Sequence, residues 1–330
     1  MSRGNHSAGQ RGFGRGSLVL LGVLGVCLAV IVALIVVVLT RSPGSKPAAS
    51  SQLARPSSHP APSATATQPA SPTTRPSSTA PPRHADPLTG RAVSYLASRG
   101  GTVLAAVQDL RTGQTWTLGG ARPQAEASVV KLDVLETLLA QHGGVLPAAD
   151  QSLAQLMIED SDNGAATSLW NADGAAAGLR AYNSRAGLAH TTPSACLECP
   201  GFPWPGWGLT TTLPSDQITL LRDLVQPGPV LGSAARGYAL RLMENVTESQ
   251  RWGVSGGVPA GVTVALKNGW LPLNGAQTDW QINSVGWISG QGCDYLMAVL
   301  STGNPSEQYG IDTTSQLAAY VWEAMAGSAP

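Results

Sequence analysis

The segment "EASVVKLDVL" (residues 126–135) sets a serine three places before a lysine at the mouth of an apolar run. The run continues through Glu136, Thr137, Leu138 and Leu139 and closes near "HGG" (142–144). It predicts a long helix opening at Ser128. Positions i and i+3 share a helix face, so the Lys131 amine can reach the Ser128 hydroxyl. An amine facing apolar surface loses hydration, which disfavours its charge. Such a lysine is a usable base near neutral pH, and a serine beside a base is a nucleophile. The helix N-terminus also offers backbone N–H groups to an oxyanion. The plainer account of the same residues is a serine N-cap and a snorkelling lysine.

What flanks this helix sets the fold class. Upstream, "DPLTGRAVSYLASRG" (86–100) reads as a helix, and "TVLAAVQDL" and "TWTLGG" flank the turn "RTGQ" as a β-hairpin. Downstream, residues 151–170 read as helical around "EDSD", and "GAAAGLRAYNSRAGL" as a further helix. Residues 191–209 are irregular and rich in Pro, Gly and Trp. "LPSDQITLLRDLV" (213–225) reads as a helix capped at Ser215 or Asp216, and "SAARGYALRLMENV" as another. "GVTVALKNGW", "TDWQINSVGWIS" and "YLMAVLSTG" are strand-like, and "TTSQLAAYVWEAM" closes as a helix. This order predicts an α+β fold, with terminal helices flanking a split antiparallel sheet and an inserted all-helical lobe.

Two more short motifs join the first. "IEDSDNGAATSLW" holds Ser161-Asp162-Asn163, a turn or helix cap on the plain account. On the functional account, Ser161 shuttles a proton and Asn163 offers an amide to substrate. "VTVALKNGWLPL" (262–273) holds Lys267-Asn268-Gly269. Asn-Gly is a strong hairpin signal, but "LNG" (273–275) supplies a second turn downstream, so the strand can run on past Lys267. A glycine there permits a substrate backbone to approach. Of twelve cations in residues 88–330, ten are arginines, and the two lysines are Lys131 and Lys267. Arginine stays protonated, whereas a buried lysine can deprotonate. Lysine is kept where a proton must move.

With these three motifs in this order, the chain resembles class A β-lactamases and penicillin-binding proteins. The resemblance covers about residues 88–327, including "LTTTLPSDQITLLRDLV" and "QRWGV…GVPAGVTVALKNG". It implies a β-lactamase/transpeptidase-like fold and a serine hydrolase working through an acyl-enzyme, with no cofactor and no metal. Ser128 would then be the nucleophile, Lys131 a base, and Ser161 the donor to the leaving nitrogen. Lys267 would hold Ser161 and a substrate carboxylate electrostatically. Asn163, Asn268, Gly269 and Trp270 would bind substrate, with backbone N–H groups of Ser128 and Trp270 as the oxyanion hole. Glu198 lies near the place of the family's deacylating glutamate, in "SACLECPGFPWPGWG". The chain also departs from the family. The interval from Ser128 to Ser161 is short, which implies a missing cleft wall. Asn268 replaces a hydroxyl residue, which weakens carboxylate recognition.

In the same loop Cys196 and Cys199 form C-x-x-C, compatible with a disulfide outside the cytoplasm, with free thiols, or with a metal or redox site. Trp204 and Trp207 read as loop stiffeners or as sugar-binding faces. Arg251 reads as a structural pair or a carboxylate partner. Cys293 looks incidental to a hairpin turn.

The N-terminal third is built differently. Residues 1–16 are polar, with three arginines and no acid. Residues 17–40 carry no charge and are almost wholly apolar, enough to span a bilayer as a helix. A cleaved signal peptide, or a lipoprotein signal at "LGVC" (24–27), are the other readings. The short basic end points to N-terminus inside, with the globular part outside a single-pass membrane anchor. Residues 41–87 hold eleven of the chain's 24 prolines and read as a disordered spacer reaching at most about 145 Å. Residues 88–330 carry twelve cations against nineteen acids, a net of −7, which argues against nucleic acid. The expected substrate is a β-lactam or a D-Ala-D-Ala-like cell-wall peptide, and the expected state is a monomer. The competing function is a degenerate module that binds cell-wall peptide or a protein without turnover. An antibiotic-sensing receptor is disfavoured, because about 16 cytoplasmic residues are too few for a signalling domain.

Overall fold

The computed structural model describes residues 84–201 and 205–327. The span 17–40 and spacer residues 41–83 lie outside them, whereas 84–87, expected in the spacer, begin the folded part, with His84 buried against Arg111 and Asp109. Among the described residues no helix is long and apolar enough to cross a membrane. After α1 (Arg91–Leu96), β1 (Thr102–Asp109) and β2 (Thr115–Leu118) form the expected hairpin. A short β3 (Gln124–Ala125) leads into a 3₁₀ turn at Ala127–Val129 and then α2 (Val130–Gln141). The lobe continues with α3 (Ala148–Glu159), α4 (Asn163–Ala172), α5 (Ala175–Ala186), β4 (Thr211–Thr212), α6 (Pro214–Val225) and α7 (Ser233–Glu244). Then come β5 (Thr263–Pro272), β6 (Trp280–Gly290), β7 (Cys293–Asn304) and α8 (Glu307–Ala326). The main sheet runs β2-β1-β7-β6-β5, with every pairing antiparallel. The expected α+β plan of terminal helices, sheet and inserted helical lobe is what the chain builds.

Strand period two sorts the sheet's side chains onto two faces. Ala106, Ala265, Val285, Leu296 and Ala298 pack under the helical lobe. Ala105, Val107, Val264, Leu266, Met297 and Val299 pack with Leu317 and Val321 of α8 on the other face. Lys267 and Gly269 follow Ala265 onto the lobe side. Asn268 follows Leu266 to the opposite side.

Some local readings needed correction. The 86–100 helix is only α1, closed by tight Ser98 N–H to Tyr95 O and Arg99 N–H to Leu96 O bonds. The helix expected over 151–170 is two, broken at Ser161, which sits at φ 57°. Asp162 caps the second through Ala165 N–H (2.6 Å). Helix α6 starts at least two residues early, capped at Leu213 with Pro214 in its first turn. Asp216 there accepts from His190 N–H and the Thr191 hydroxyl instead of capping. The Asn268-Gly269 hairpin does not form, and β5 runs on to Pro272.

Helix α2 is buried from Val130 to Leu139 without a break. A helix buried all round belongs to the centre of a lobe. It carries Asp133 and Glu136 inside, bonded to the Asn183 amide (2.9 Å) and the Tyr182 hydroxyl (2.7 Å). Burial raises Asp133 to about 7 and holds Glu126 and Glu136 well above the usual carboxylate range. Burial lowers Lys131 to about 6 and Lys267 to about 7. The raised acids hold protons that the unfolded chain releases near pH 4, so their contribution is lost as pH rises, that of Asp133 through about 7. The lowered lysines act the other way, with stability returning from about pH 7 towards the ordinary lysine range. The melting temperature is therefore expected to fall as pH rises from 4.5 to 6, below the values of both lysines. A rise over that range would contradict it.

Candidate active site

The three motifs meet at one hydroxyl. The Lys131 amine, fully buried on α2, donates to Ser161 Oγ (3.0 Å), Ser161 O (2.6 Å) and Asn163 Oδ1 (2.7 Å). The Lys267 amine, fully buried on β5, donates to the same Ser161 Oγ (3.0 Å) and to Asn268 O (3.0 Å). Besides desolvation, the charge of Lys267 helps lower Lys131, while Asp162 opposes it. When Lys131 is neutral it needs a donor for its lone pair. Of its three acceptors, only the Ser161 hydroxyl can turn round and give one.

Ser128 stands in the 3₁₀ turn ahead of α2, half-buried, and lines one cavity of about 220 Å³ together with Ser161, Asn163 and Trp270. The turn is held in place from the sheet. Asn283 of β6 donates to Ala125 O (2.8 Å) and Glu126 O (2.9 Å). Ala127, next to Ser128, lies in the left-handed region at φ 50°, a strain that persists only where surroundings over-determine it. Ser128 Oγ makes no side-chain hydrogen bond among the described residues.

The opposite wall is Pro205–Leu209. Trp207 is buried there, donating to the Thr167 hydroxyl (3.2 Å), with Lys131 Nζ 5.1 Å from its ring centre. Cys196 and Cys199 form a disulfide behind it. Cys196 O accepts from Gly206 N–H (2.8 Å), and a Cβ on Gly206 would collide with Cys199 Sγ. The loop tryptophan thus stiffens the wall, and the disulfide reading holds among the alternatives for C-x-x-C. Trp204 lies outside the described residues.

A family model of the beta-lactamase enzyme family matches residues 149–325. The chain belongs to that family. LppW of Mycobacterium tuberculosis, a protein named as a lipoprotein, is 29% identical over 222 residues, covering 64% of this chain and 66% of LppW. The chain thus spans just under two thirds of that relative's length. The TLA-1 extended-spectrum beta-lactamase shares the fold at TM-score 0.62 and 17% identity, covering 71% of this beta-lactamase-family chain and 96% of that one. The class A beta-lactamase of Mycobacterium abscessus does so at TM-score 0.59 and 21% identity, covering 70% and 96%.

Three expected site residues of this beta-lactamase-family chain sit otherwise than expected. Glu198 stands exposed and does not line the cavity. It falls in a loop whose shape is set by the disulfide. Asn268 is turned to the far face of β5, its amide spent on Gln250 O (2.7 Å) and Trp252 O (3.1 Å). Gly269 makes room for the nucleophile turn, because a Cβ there would lie 2.7 Å from Ser128 N. Among the described residues Arg251 pairs with no carboxylate, and it donates to Glu244 O (2.9 Å) and Val264 O (3.4 Å). Sequence reasoning missed the far wall of Trp280 and Pro272, and missed Asn283. A buried amide in a strand was the available signal for the last. Among the described residues no group of three or more His, Cys, Asp and Glu could hold a metal.

Proposed function

We propose that the chain is a membrane-anchored, extracytoplasmic serine hydrolase that forms an acyl-enzyme on Ser128. The observation that carries this reading is the single Ser161 hydroxyl held by both buried lysines beside the cavity that Ser128 lines. Lys131 takes the Ser128 proton as Oγ attacks a carbonyl. The oxyanion is met by the N–H groups of Ser128 and Trp270. Ser161 Oγ, with both lone pairs facing lysines, has its hydrogen free for the leaving atom. Lys267 fixes Ser161 and stabilises the charge that develops there. Asn163, bonded to Lys131 through Oδ1, keeps its NH₂ group for substrate. The chain offers no placed carboxylate for deacylation at Glu198, so the acyl-enzyme accumulates. β-Lactams and acyl-D-Ala-type peptides, as in the family, are the first compounds to try, each with its carboxylate free and masked as a neutral ester or amide. The apolar span 17–40 would anchor the domain, and the lipoprotein name of LppW supports membrane association.

One experiment tests both parts. Membranes from cells making the full chain are treated with a neutral fluorophosphonate label. A one-label mass increase on Ser128, absent in Ser128→Ala and removed by protease added to intact protoplasts, is expected. No adduct and no hydrolysis would favour the binding module. An adduct that stays protected would reverse the orientation.

A further inference from the structure

Resting on that hydrolase reading, we infer that the cavity selects an uncharged acyl compound with an apolar or aromatic substituent, not a compound recognised through a carboxylate. The walls carry the argument. Trp207, Leu209, Trp270, Leu271, Pro272 and Trp280 face the cavity. Its polar lining side chains are Ser128, Ser161 and Asn163, all used by the chemistry itself. Among the described residues no Asp, Glu, Lys, Arg or His lines it.

The nearby groups that could greet an anion are spent elsewhere. Lys131 and Lys267 are fully buried, with their amines bonded to Ser161, Asn163 and Asn268. Arg251 is tied to two backbone carbonyls and Asn268 to two others. A carboxylate brought against this lining would be desolvated without a partner, which is strongly unfavourable. The tryptophans instead offer ring surface. The indole N–H groups of Trp207 and Trp280 are already bonded to the Thr167 hydroxyl and to Gln277 O (2.7 Å). An apolar cavity of about 150 Å³ takes a benzene, so about 220 Å³ leaves room for a ring-bearing acyl group. In the reaction, Ser128 Oγ bonds to the acyl carbon and the bond to the leaving oxygen or nitrogen breaks. The proton lost from Ser128 goes to Lys131, the leaving atom takes one from Ser161, and Lys131 returns a proton to Ser161 across their 3.0 Å bond.

The test uses the full chain in detergent and two phenylacetate aryl esters. One carries a meta-carboxylate on the leaving phenol and the other a meta-carboxamide. After correction for reactivity towards hydroxide, kcat/KM is expected to favour the neutral ester at least tenfold. Trp280→Ala is expected to lower the preference for phenylacetyl over acetyl esters about tenfold. Equal or reversed preference between the two phenol esters overturns the inference, as does labelling of Ser128 by a neutral fluorophosphonate without reaction of either ester. Failure of the fluorophosphonate to label Ser128 overturns the hydrolase reading itself, and this inference with it.

Discussion

Lys131→Arg is expected to slow acylation of Ser128 by about 10²–10⁴ while the protein stays folded, the usual cost of losing a general base. The guanidinium keeps its charge and offers donors to the three acceptors that Lys131 now holds. It cannot release a proton near neutral pH. A purely anchoring lysine would therefore tolerate the change, and a base would not. The pH profile separates the two. With Lys131 lowered to about 6 and Lys267 to about 7, wild-type acylation should rise as the coupled pair loses its first proton across this range. The limb belongs to the pair, and it should vanish in Lys131→Arg. Melting curves guard against crowding by the larger group, and Arg180→Lys at an exposed site should be silent. A folded Lys131→Arg protein that acylates at near wild-type rate would remove Lys131 from the mechanism.

Gly269→Ala should lower acylation about 100-fold without altering any reacting side chain. The added Cβ would meet Ser128 N at 2.7 Å, Glu126 O at 2.8 Å and Val129 N at 2.8 Å. All three are backbone atoms, so no side chain can swing aside. Either β5 or the nucleophile turn must move. A misplacement near 1 Å costs about 10² in rate, and overpacking costs about 1–3 kcal/mol in stability. Gly275→Ala, where a Cβ meets nothing within 4 Å, is the control. Wild-type rate and melting in Gly269→Ala would mean that strand and turn are not in close contact.

The α+β plan was legible because its signals are local. A hairpin turn, a run of helices and three strand-like segments each declare themselves within a dozen residues. Ser128, Lys131, Ser161 and Lys267 were legible through residue chemistry, since only lysine can be buried and neutral among the cations. Asn268 was not. Strand β5 is buried on both faces from Val264 to Gly269, so alternation, the one signal that tells which way a side chain points, is erased. The break at Ser161 was hidden because apolar residues on both sides keep helical spacing across it. Asp133 and Glu136 stand within the apolar run, and they lie inside the lobe with their own partners. Glu198 was placed by resemblance within a loop that has no periodicity to check it.

Lys131 belongs to the lobe and Lys267 to the sheet, and the Ser161 hydroxyl holds both. The bond from Lys267 to Ser161 spans 106 positions of chain. During synthesis the nucleophile, its first lysine and the shared serine are therefore all made well before the second lysine exists. The early part of the chain can fold its helices and still lack a complete proton circuit. On the proposed mechanism, chemical competence arrives only with β5, so a copy truncated before Lys267 is expected to be inert.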